Sequence, residues 1–457
     1  MASLSEGLGI VAALGPGLGV WPLAAWAEAA LALALCVPLA FFGYCALYLW
    51  RLLLAALPAR GRVAVLSPPT APGADAPLLT AEGAKAVGQA RFLLLIPAHN
   101  EELVLGAALE SLRGLDYPRD AYRVAVIADN CSDRTAAIAR EQGALALERT
   151  DTVRIGKGYA LEWALRALLC AEKSDSDALR AWADFDAVVI LDADTKVAPN
   201  LLRAFAAGLS AGHRAMQARY DVLNAGESWR SRLMACALAL AHLVKPLGRE
   251  RLRLSDGLKG NGMCFAREVV ERIPWSGESI TEDIEYTLRL CRAGYRVAFV
   301  PETTVWAQMP TTGAQAASQR KRWEGGRYRL LFTVAPRLWM EGARKRDRVL
   351  RDRAMELIIP PFAEMLTVPA ALLCVCTLAV SVLRWAWAGW LAWGWGAVLA
   401  LQAGYLFLGL WVARVPASLA LSLLYAPVYI LWKFGVYAVM AVGGSAGGWK
   451  RTERRKL

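Results

Sequence analysis

Val188-Val-Ile-Leu-Asp-Ala-Asp-Thr195 decides how the middle of this 457-residue chain is read. Val188, Val189 and Ile190 are β-branched, and with Leu191 they predict a short, fully buried strand. The run then stops on two carboxylates, Asp192 and Asp194. Alternate side chains of a strand share a face, so an Asp-x-Asp at a strand end aims both carboxylates at one point. Two hard anionic oxygens side by side suit Mg2+ or Mn2+, ions that usually arrive with a phosphate. A strand leaving the core into a polar turn carries the same residues, because Asp is common in turns. On the tripeptide alone both readings stand.

Upstream, residues 92–96 predict a buried strand stopped by Pro97, and Asn100 is placed to cap a helix with Glu101 and Glu102 in its first turn. Leu105, Ala108, Leu109 and Leu112 give that helix an apolar face. Residues 124–128 predict the next strand, ending on Asp129-Asn130, with Asp133 as the following cap. Strands alternating with helices, and polar residues at strand C-termini, predict an α/β fold with a mostly parallel sheet and a ligand over those ends.

Other residues can carry chemistry, each with a plainer reading beside it. Asp129 can accept from a base or ribose, or simply hold a turn. Arg154-Ile-Gly-Lys-Gly158 puts two cations in a loop suited to a diphosphate, without Walker spacing. Thr281-Glu-Asp283 opens a helix; its acids either stabilise the helix N-terminus or present Asp283 as a general base. In Gln319-Arg-Lys-Arg-Trp323, helical spacing puts Gln319, Arg322 and Trp323 on one face, fit for a diphosphate and a sugar ring or for a membrane surface.

The chain is 56% hydrophobic, with mean hydropathy +0.33, and the excess collects at its two ends. One apolar stretch covers about residues 29–50; three more cover about 357–383, 385–412 and 417–442. The net charge of +12 lies largely beside them, at Arg51, Arg60 and Arg62, in the basic run 344–353 and in the tail 449–456. Cytoplasmic membrane flanks account for that charge and nucleic acid does not. Nine scattered cysteines with no C-x-x-C pair, and only three histidines, argue for reduced thiols and against a zinc site.

In order, strand–Pro-x-His-Asn-Glu, Asp-Asn-x-Ser-Asp, Gly-Lys-Gly, Asp-x-Asp, Thr-Glu-Asp and Gln-x-x-Arg-Trp resemble the family-2 glycosyltransferases. The resemblance is to membrane synthases of the cellulose, hyaluronan and poly-N-acetylglucosamine type. It implies a GT-A (Rossmann-like) domain over residues 91–353, behind an N-terminal membrane segment (1–58) and a linker (59–90) and before a C-terminal membrane region (354–457). By the same resemblance, Pro97, His99, Glu101, Asp129, Lys157 and Asp192 line the nucleotide, and Asp192 and Asp194 hold Mg2+ or Mn2+. Asp283 is the base that deprotonates the acceptor hydroxyl, and Glu282, Gln319, Arg322 and Trp323 bind the acceptor end and diphosphate. Gly260-Asn-Gly262 resembles the acceptor-side loop, and Trp449-Lys-Arg-Thr452 a basic Trp motif after the last apolar helix.

The implied activity is inverting transfer from a UDP-sugar to a growing glycan, with single transfer to a lipid-linked acceptor as the alternative. Membrane lipid, and further polysaccharide-export subunits, are the implied partners, and the bacterial inner membrane the implied place. No Phe-x-Val-Thr-x-Lys gating loop is present, which points away from a polymer channel. Sugar nucleotides are cytosolic and the tail is basic, so an even number of crossings must separate the catalytic region from the tail. Of the three later apolar stretches, 417–442 is expected to lie at the interface, because Pro427 interrupts it and Lys433 is costly at a bilayer centre.

Overall fold

The computed structural model describes residues 23–62, 90–170, 182–279 and 281–442. The linker from 63 to 89 and the basic tail with Trp449-Lys-Arg-Thr452 lie outside the described residues. By internal contacts the chain forms two units: Met1–Leu47 with Glu364–Gln402, and Tyr48–Ala363 with Ala403–Leu457.

In chain order the elements are α1 (Leu23–Ala56), β1 (Phe92–Ala98), α2 (Leu105–Arg113), β2 (Tyr122–Asp129), α3 (Thr135–Glu141), β3 (Leu145–Arg149), α4 (Lys157–Leu169), β4 (Ala187–Ile190) and β5 (Lys196–Val197). There follow α5 (Leu201–Ser210), β6 (Ala215–Val222), α6 (Trp229–Leu238), a π-helical turn (Ala239–Val244), α7 (Lys245–Arg251), β7 (Met263–Ala266), α8 (Arg267–Arg272), α9 (Glu282–Arg292) and β8 (Val297–Ala307). The rest is helical: α10 (Gly313–Thr333), α11 (Ala335–Arg344), α12 (Arg348–Ile358), α13 (Phe362–Val382), α14 (Ala386–Val412), α15 (Ala417–Ala420) and α16 (Ala426–Val442).

The eight strands form one sheet in the order β3-β2-β1-β4-β7-β6-β8-β5. β1, β2, β3 and β4 are mutually parallel, as are β6 and β8; β7 and β5 run against their neighbours. Strand alternation splits the core into two layers. Leu94, Ile96, Val126 and Val189 pack with Leu105, Leu109 and Phe205 on one face. Leu93, Leu95, Ile127, Val188 and Ile190 pack with Leu161, Leu165 and Tyr286 on the other. Both faces are covered, which is why these strands read as unbroken apolar runs rather than alternating ones.

β1 does not stop at Pro97 but continues to Ala98. Leu95 accepts from the Leu191 N–H at 3.0 Å, so its backbone polar groups face β4. Pro97, two residues on, faces the same flank, and the β1–β4 ladder has ended at Leu95. The missing proline N–H therefore breaks nothing. Asn100 caps no helix: it takes a left-handed backbone (φ 55°) and accepts the Ser132 N–H at 2.7 Å, tying the loop after β1 to the loop after β2.

Among the described residues, three helical segments are long and apolar enough to cross a membrane: Trp26–Gly61, Phe362–Val382 and Ala386–Val412. The fourth apolar stretch breaks into α15, a 3-10 turn (Leu421–Tyr425) and α16. Pro427 starts α16 rather than interrupting it, and the Lys433 side chain is buried against protein. Within the larger unit a charged network ties α1, α7 and α12 together. Asp352 accepts from Tyr48 Oη (2.6 Å), Arg249 Nε (3.0 Å) and Arg353 Nη2 (2.8 Å). Glu356 pairs with Lys245 (2.7 Å) and Arg249. The basic run 344–353 is thus only partly a solvated surface, since Arg353 is 3% exposed.

Candidate active site

β7 lies antiparallel to β4 with Met263 opposite Ile190, so the loop entering β7 meets the loop leaving β4. That topology sets Gly260-Asn-Gly262 against Asp192. The Asp192 N–H donates to Asn261 Oδ1 (3.1 Å), Asn261 Nδ2 donates to Thr195 Oγ1 (2.9 Å), and the Gly262 N–H donates to the Ile190 carbonyl (3.0 Å). Asp192 and Asp194 stand past the strand end, in a turn closed by the Thr195 N–H on the Asp192 carbonyl (3.1 Å). Strand alternation therefore does not aim these two carboxylates; the buried Asn261 holds the turn instead. Asp192 is half-buried and Asp194 is 2% exposed.

Lys157 is the first residue of α4, behind Gly156 at φ 129°. Its ammonium donates both to the Asp192 carboxylate and to the Gly260 carbonyl. Asp283 comes in from the far side. A Cβ built on Gly260, whose φ is +76°, would stand 3.6 Å from Asp283 Oδ2 and 3.7 Å from Lys157 Nζ. Residues from Gly-Lys-Gly, Asp-x-Asp, Gly-Asn-Gly and Thr-Glu-Asp thus meet at one glycine. Gly158 has a different task from holding phosphate. Its missing side chain lets the Gly277 backbone lie against it, which brings the loop before α9 up to the start of α4.

Burial raises the Asp283 pKa, although the Ile284 N–H (2.8 Å from Oδ1) and the Lys157 charge pull it down. Burial, then the charge of Asp283, pushes Glu282 up to about 7. Lys157 is raised: burial pulls it down, but the Asp192 and Glu282 charges outweigh burial. One ammonium therefore serves three carboxylates, a surplus of negative charge that accommodates a further cation or a proton. Among the described residues no group of three or more His, Cys, Asp or Glu side chains is arranged to hold a metal. Two carboxylates are nonetheless enough for Mg2+, which takes its remaining oxygens from substrate phosphates and water. The all-oxygen donor set of Asp192 and Asp194 fits such an ion.

The ends of β1 and β2 lie side by side, with His99 Nδ1 2.7 Å from the Asp129 carbonyl. The Asp129 carboxylate, 4% exposed, pairs with Arg149 Nη1 at 2.5 Å, and Arg149 Nη2 holds Asp151 (2.8 Å) and the Arg154 carbonyl (2.8 Å). The Glu101 N–H donates to Thr135 Oγ1 (2.8 Å), joining the loops after β1 and β2. α10 carries Gln319, Arg322 and Trp323 on the helix expected for them, but their side chains lie outside the described residues. The helix is anchored next to the site: Gly326 leaves room for the Thr281 side chain at the start of α9, and Arg327 donates to the Glu356 carbonyl (2.7 Å).

Residues 90–326 match the family described as "Glycosyltransferase like family 2". The chain belongs to that family. Over 266 residues it is 27% identical to a probable glycosyltransferase of Bacillus subtilis, covering 57% of this chain and 60% of that protein. Over 265 residues it is 31% identical to a beta-monoglucosyldiacylglycerol synthase of Synechocystis, covering 56% and 51%. A probable glucomannan 4-beta-mannosyltransferase of rice is 25% identical, covering 52% and 42%. The match therefore spans about half the length of these relatives. A solved mannosyltransferase from Pyrobaculum calidifontis, in complex with GDP-Man and Mn2+, aligns with 20% identity and TM-score 0.48 over 83% of this chain and 96% of its own.

Two parts of this glycosyltransferase's site escaped the sequence reading. Arg149 ends β3 directly opposite Asp129 in the parallel register, a pairing visible only once the strands are aligned. Gln217, fully buried in β6, donates to the Asn261 carbonyl (2.8 Å) and accepts the Lys259 N–H (3.0 Å), holding the Gly-Asn-Gly loop. Its signal was available: a lone amide in the apolar run Ala215-Met-Gln-Ala218 must find partners or carry a desolvation penalty.

Proposed function

We propose that this family-2 enzyme transfers one hexose, with inversion, from a UDP-sugar to a hydroxyl of a lipid-linked acceptor at the membrane. The observation that carries the reading is the meeting of Lys157, Asp192 and Asp283 around Gly260. Lys157 is placed to neutralise diphosphate charge, and Asp283, kept basic by burial, to take the acceptor proton. Proton removal at the acceptor and charge stabilisation on the departing diphosphate are what an inverting displacement needs. A divalent cation held by Asp192 and Asp194 would add electrostatic stabilisation of the leaving diphosphate. Asp129, fixed by Arg149, and His99 would flank the base, and Arg322 and Trp323 on α10 would receive the acceptor end.

The lipid acceptor is favoured by the 31% identity to a beta-monoglucosyldiacylglycerol synthase. Extension of a glycan is the second reading, supported by the glucomannan mannosyltransferase relatives. We place one crossing (α1) before the catalytic unit and two (α13 and α14) after it, which leaves catalytic unit and tail both cytoplasmic. The last helical stretch, α15 to α16, is assigned to the interface because it carries Lys433, which is costly at a bilayer centre.

The test is to incubate detergent-purified protein with a panel of UDP-sugars, Mn2+ and either diacylglycerol or short glycans, then measure UDP release and product mass. A single added hexose on the lipid supports the reading. Multiple additions to glycan with none to lipid would establish the second reading, and no turnover with any UDP-sugar would remove both.

A further inference from the structure

On the larger unit, away from the residues just described, Glu250, Arg251, Arg253 and Arg296 line a cavity of about 600 Å3. Its one acid is already engaged: Glu250 pairs with Arg296 Nη2 (2.8 Å) and accepts the Phe299 N–H (3.1 Å). Arg251 and Arg253 are exposed, and Arg348, also exposed, donates to the Leu252 carbonyl (3.3 Å) on the same loop. The neighbouring Asp347 is occupied in capping α12, accepting from the Val349 (2.7 Å) and Leu350 (3.1 Å) N–H groups. With Glu250 spent on Arg296, the exposed Arg251 and Arg253 leave the basin net cationic.

Arg253 of the basin, and Arg346 in the turn that Arg348 ties to it, occupy positions the backbone would rather give to glycine. α7 ends in a closed turn in which the Leu254 N–H reaches the Arg249 carbonyl (2.9 Å) and the Arg253 N–H reaches the Glu250 carbonyl (3.0 Å), with Arg253 left-handed at φ 55°. α11 ends identically: the Asp347 N–H reaches the Gly342 carbonyl (2.8 Å), the Arg346 N–H reaches the Ala343 carbonyl (3.2 Å), and Arg346 has φ 53°. Glycine is the unstrained residue there. Among the described residues, every left-handed residue other than glycine and asparagine is an arginine, and the remaining two, Arg384 and Arg414, follow the ends of the candidate spans α13 and α14. This chain accepts backbone strain to set guanidinium groups where a membrane boundary is expected. The basin has such an address too, since Gly248 on α7 lies backbone to backbone against Leu52, in the last turns of α1.

We infer that the basin formed by Arg251, Arg253 and Arg296, together with the α11–α12 turn that Arg348 ties to it and that carries Arg346, binds the phosphate headgroup of an anionic membrane lipid and so seats the catalytic unit on the bilayer. Guanidinium forks suit phosphate oxygens, and a surface of anionic lipid concentrates them beside α1. The inference is independent of which sugar or acceptor the enzyme uses.

The strain argument supplies a test that loss of folding does not confound. Arg253→Gly/Arg346→Gly removes two charges while relaxing both turns. Detergent-purified full-length protein is titrated with phosphatidylglycerol or phosphatidylcholine in mixed micelles, following thermal unfolding, with retained lipids counted by native mass spectrometry. Wild type should gain Tm with phosphatidylglycerol only. The glycine pair should match or exceed wild type in phosphatidylcholine but need about 30-fold more phosphatidylglycerol for the same rise, from two arginines near an anionic surface. Arg253→Lys/Arg346→Lys should stay within a few-fold of wild type. A glycine pair that titrates like wild type overturns the inference. So does inorganic phosphate that reproduces the full rise at the same phosphate concentration, because the occupant would then be a free anion.

Discussion

At the start of α9, Glu282 and Asp283 share a single ammonium, Lys157, with Asp192; on α12, Asp352 and Glu356 have Lys245, Arg249 and Arg353 between them. Both groups are at least half-buried, yet their carboxylates move in opposite directions. Burial raises Glu282 and Asp283, and neither Lys157 nor, for Asp283, Lys259 (itself paired with Asp256) offsets it. Burial also pushes up Asp352 and Glu356, but Arg249 with Arg353 or Lys245 overrides it and holds both below the usual carboxylate range. The ratio of cations to carboxylates, rather than depth, separates a group that can take a proton from one that only holds helices together.

The sharpest break between the two groups is kinetic. Asp283→Asn should lower kcat by roughly 10²–10⁴-fold while calorimetry finds UDP affinity nearly unchanged. Near wild-type turnover would end its assignment as the base. The matching change on α12, Asp352→Asn, should leave turnover of the folded enzyme in place but cost about 3–5 kcal/mol of stability, because Arg249 and Arg353 keep their charge without their acceptor. Thermal unfolding in detergent reads this directly, and an unshifted Tm would show that the network is not structural. A third test asks whether the negative surplus recruits a metal. Asp194→Ala should remove the dependence of UDP affinity on Mg2+ or Mn2+, an effect of about tenfold or more, and equal metal dependence in both proteins would count against it.

The smallest effect is a pH slope. Glu282 binds its proton more tightly folded (about 7) than unfolded (4.5), so its contribution is complete below pH 4.5 and fades as pH rises to 7. The metal-free wild type should therefore lose stability relative to Glu282→Gln across that window. An identical pH profile for the two proteins would remove the raised pKa.

What was legible in the sequence follows from where cause is local. β1, β2 and β4 announce themselves because apolar runs buried on both faces end in Pro or Asp. The other half of the sheet does not: β6 contains Gln217, Arg219 and Asp221, and β8 is broken by Pro301-Glu302. Their identity as strands rests on direct pairing with each other, although β7 lies between them in the sequence, and no local pattern encodes that. The site divides the same way. Lys157, Asp192 and Asp283 stand in recognisable motifs, whereas Arg149 and Gln217 act through register and burial. The α12 network is hidden in a basic run that the sequence presents as a membrane flank, because its partner Tyr48 lies some three hundred residues away in sequence.

The backbone contact between Gly248 and Leu52 bears on how the protein is made. Synthesis proceeds from the N-terminus, so α1 has left the ribosome long before Gly248 is translated, and on the proposed topology it would by then be in the bilayer. Tyr48 then waits in place, its hydroxyl without Arg249 or Asp352, until α7 and α12 arrive. On the proposed topology the final docking of the nascent catalytic unit would be an event at the membrane, templated by a helix inserted first, and a chain begun after α1 would have to close that seam on water.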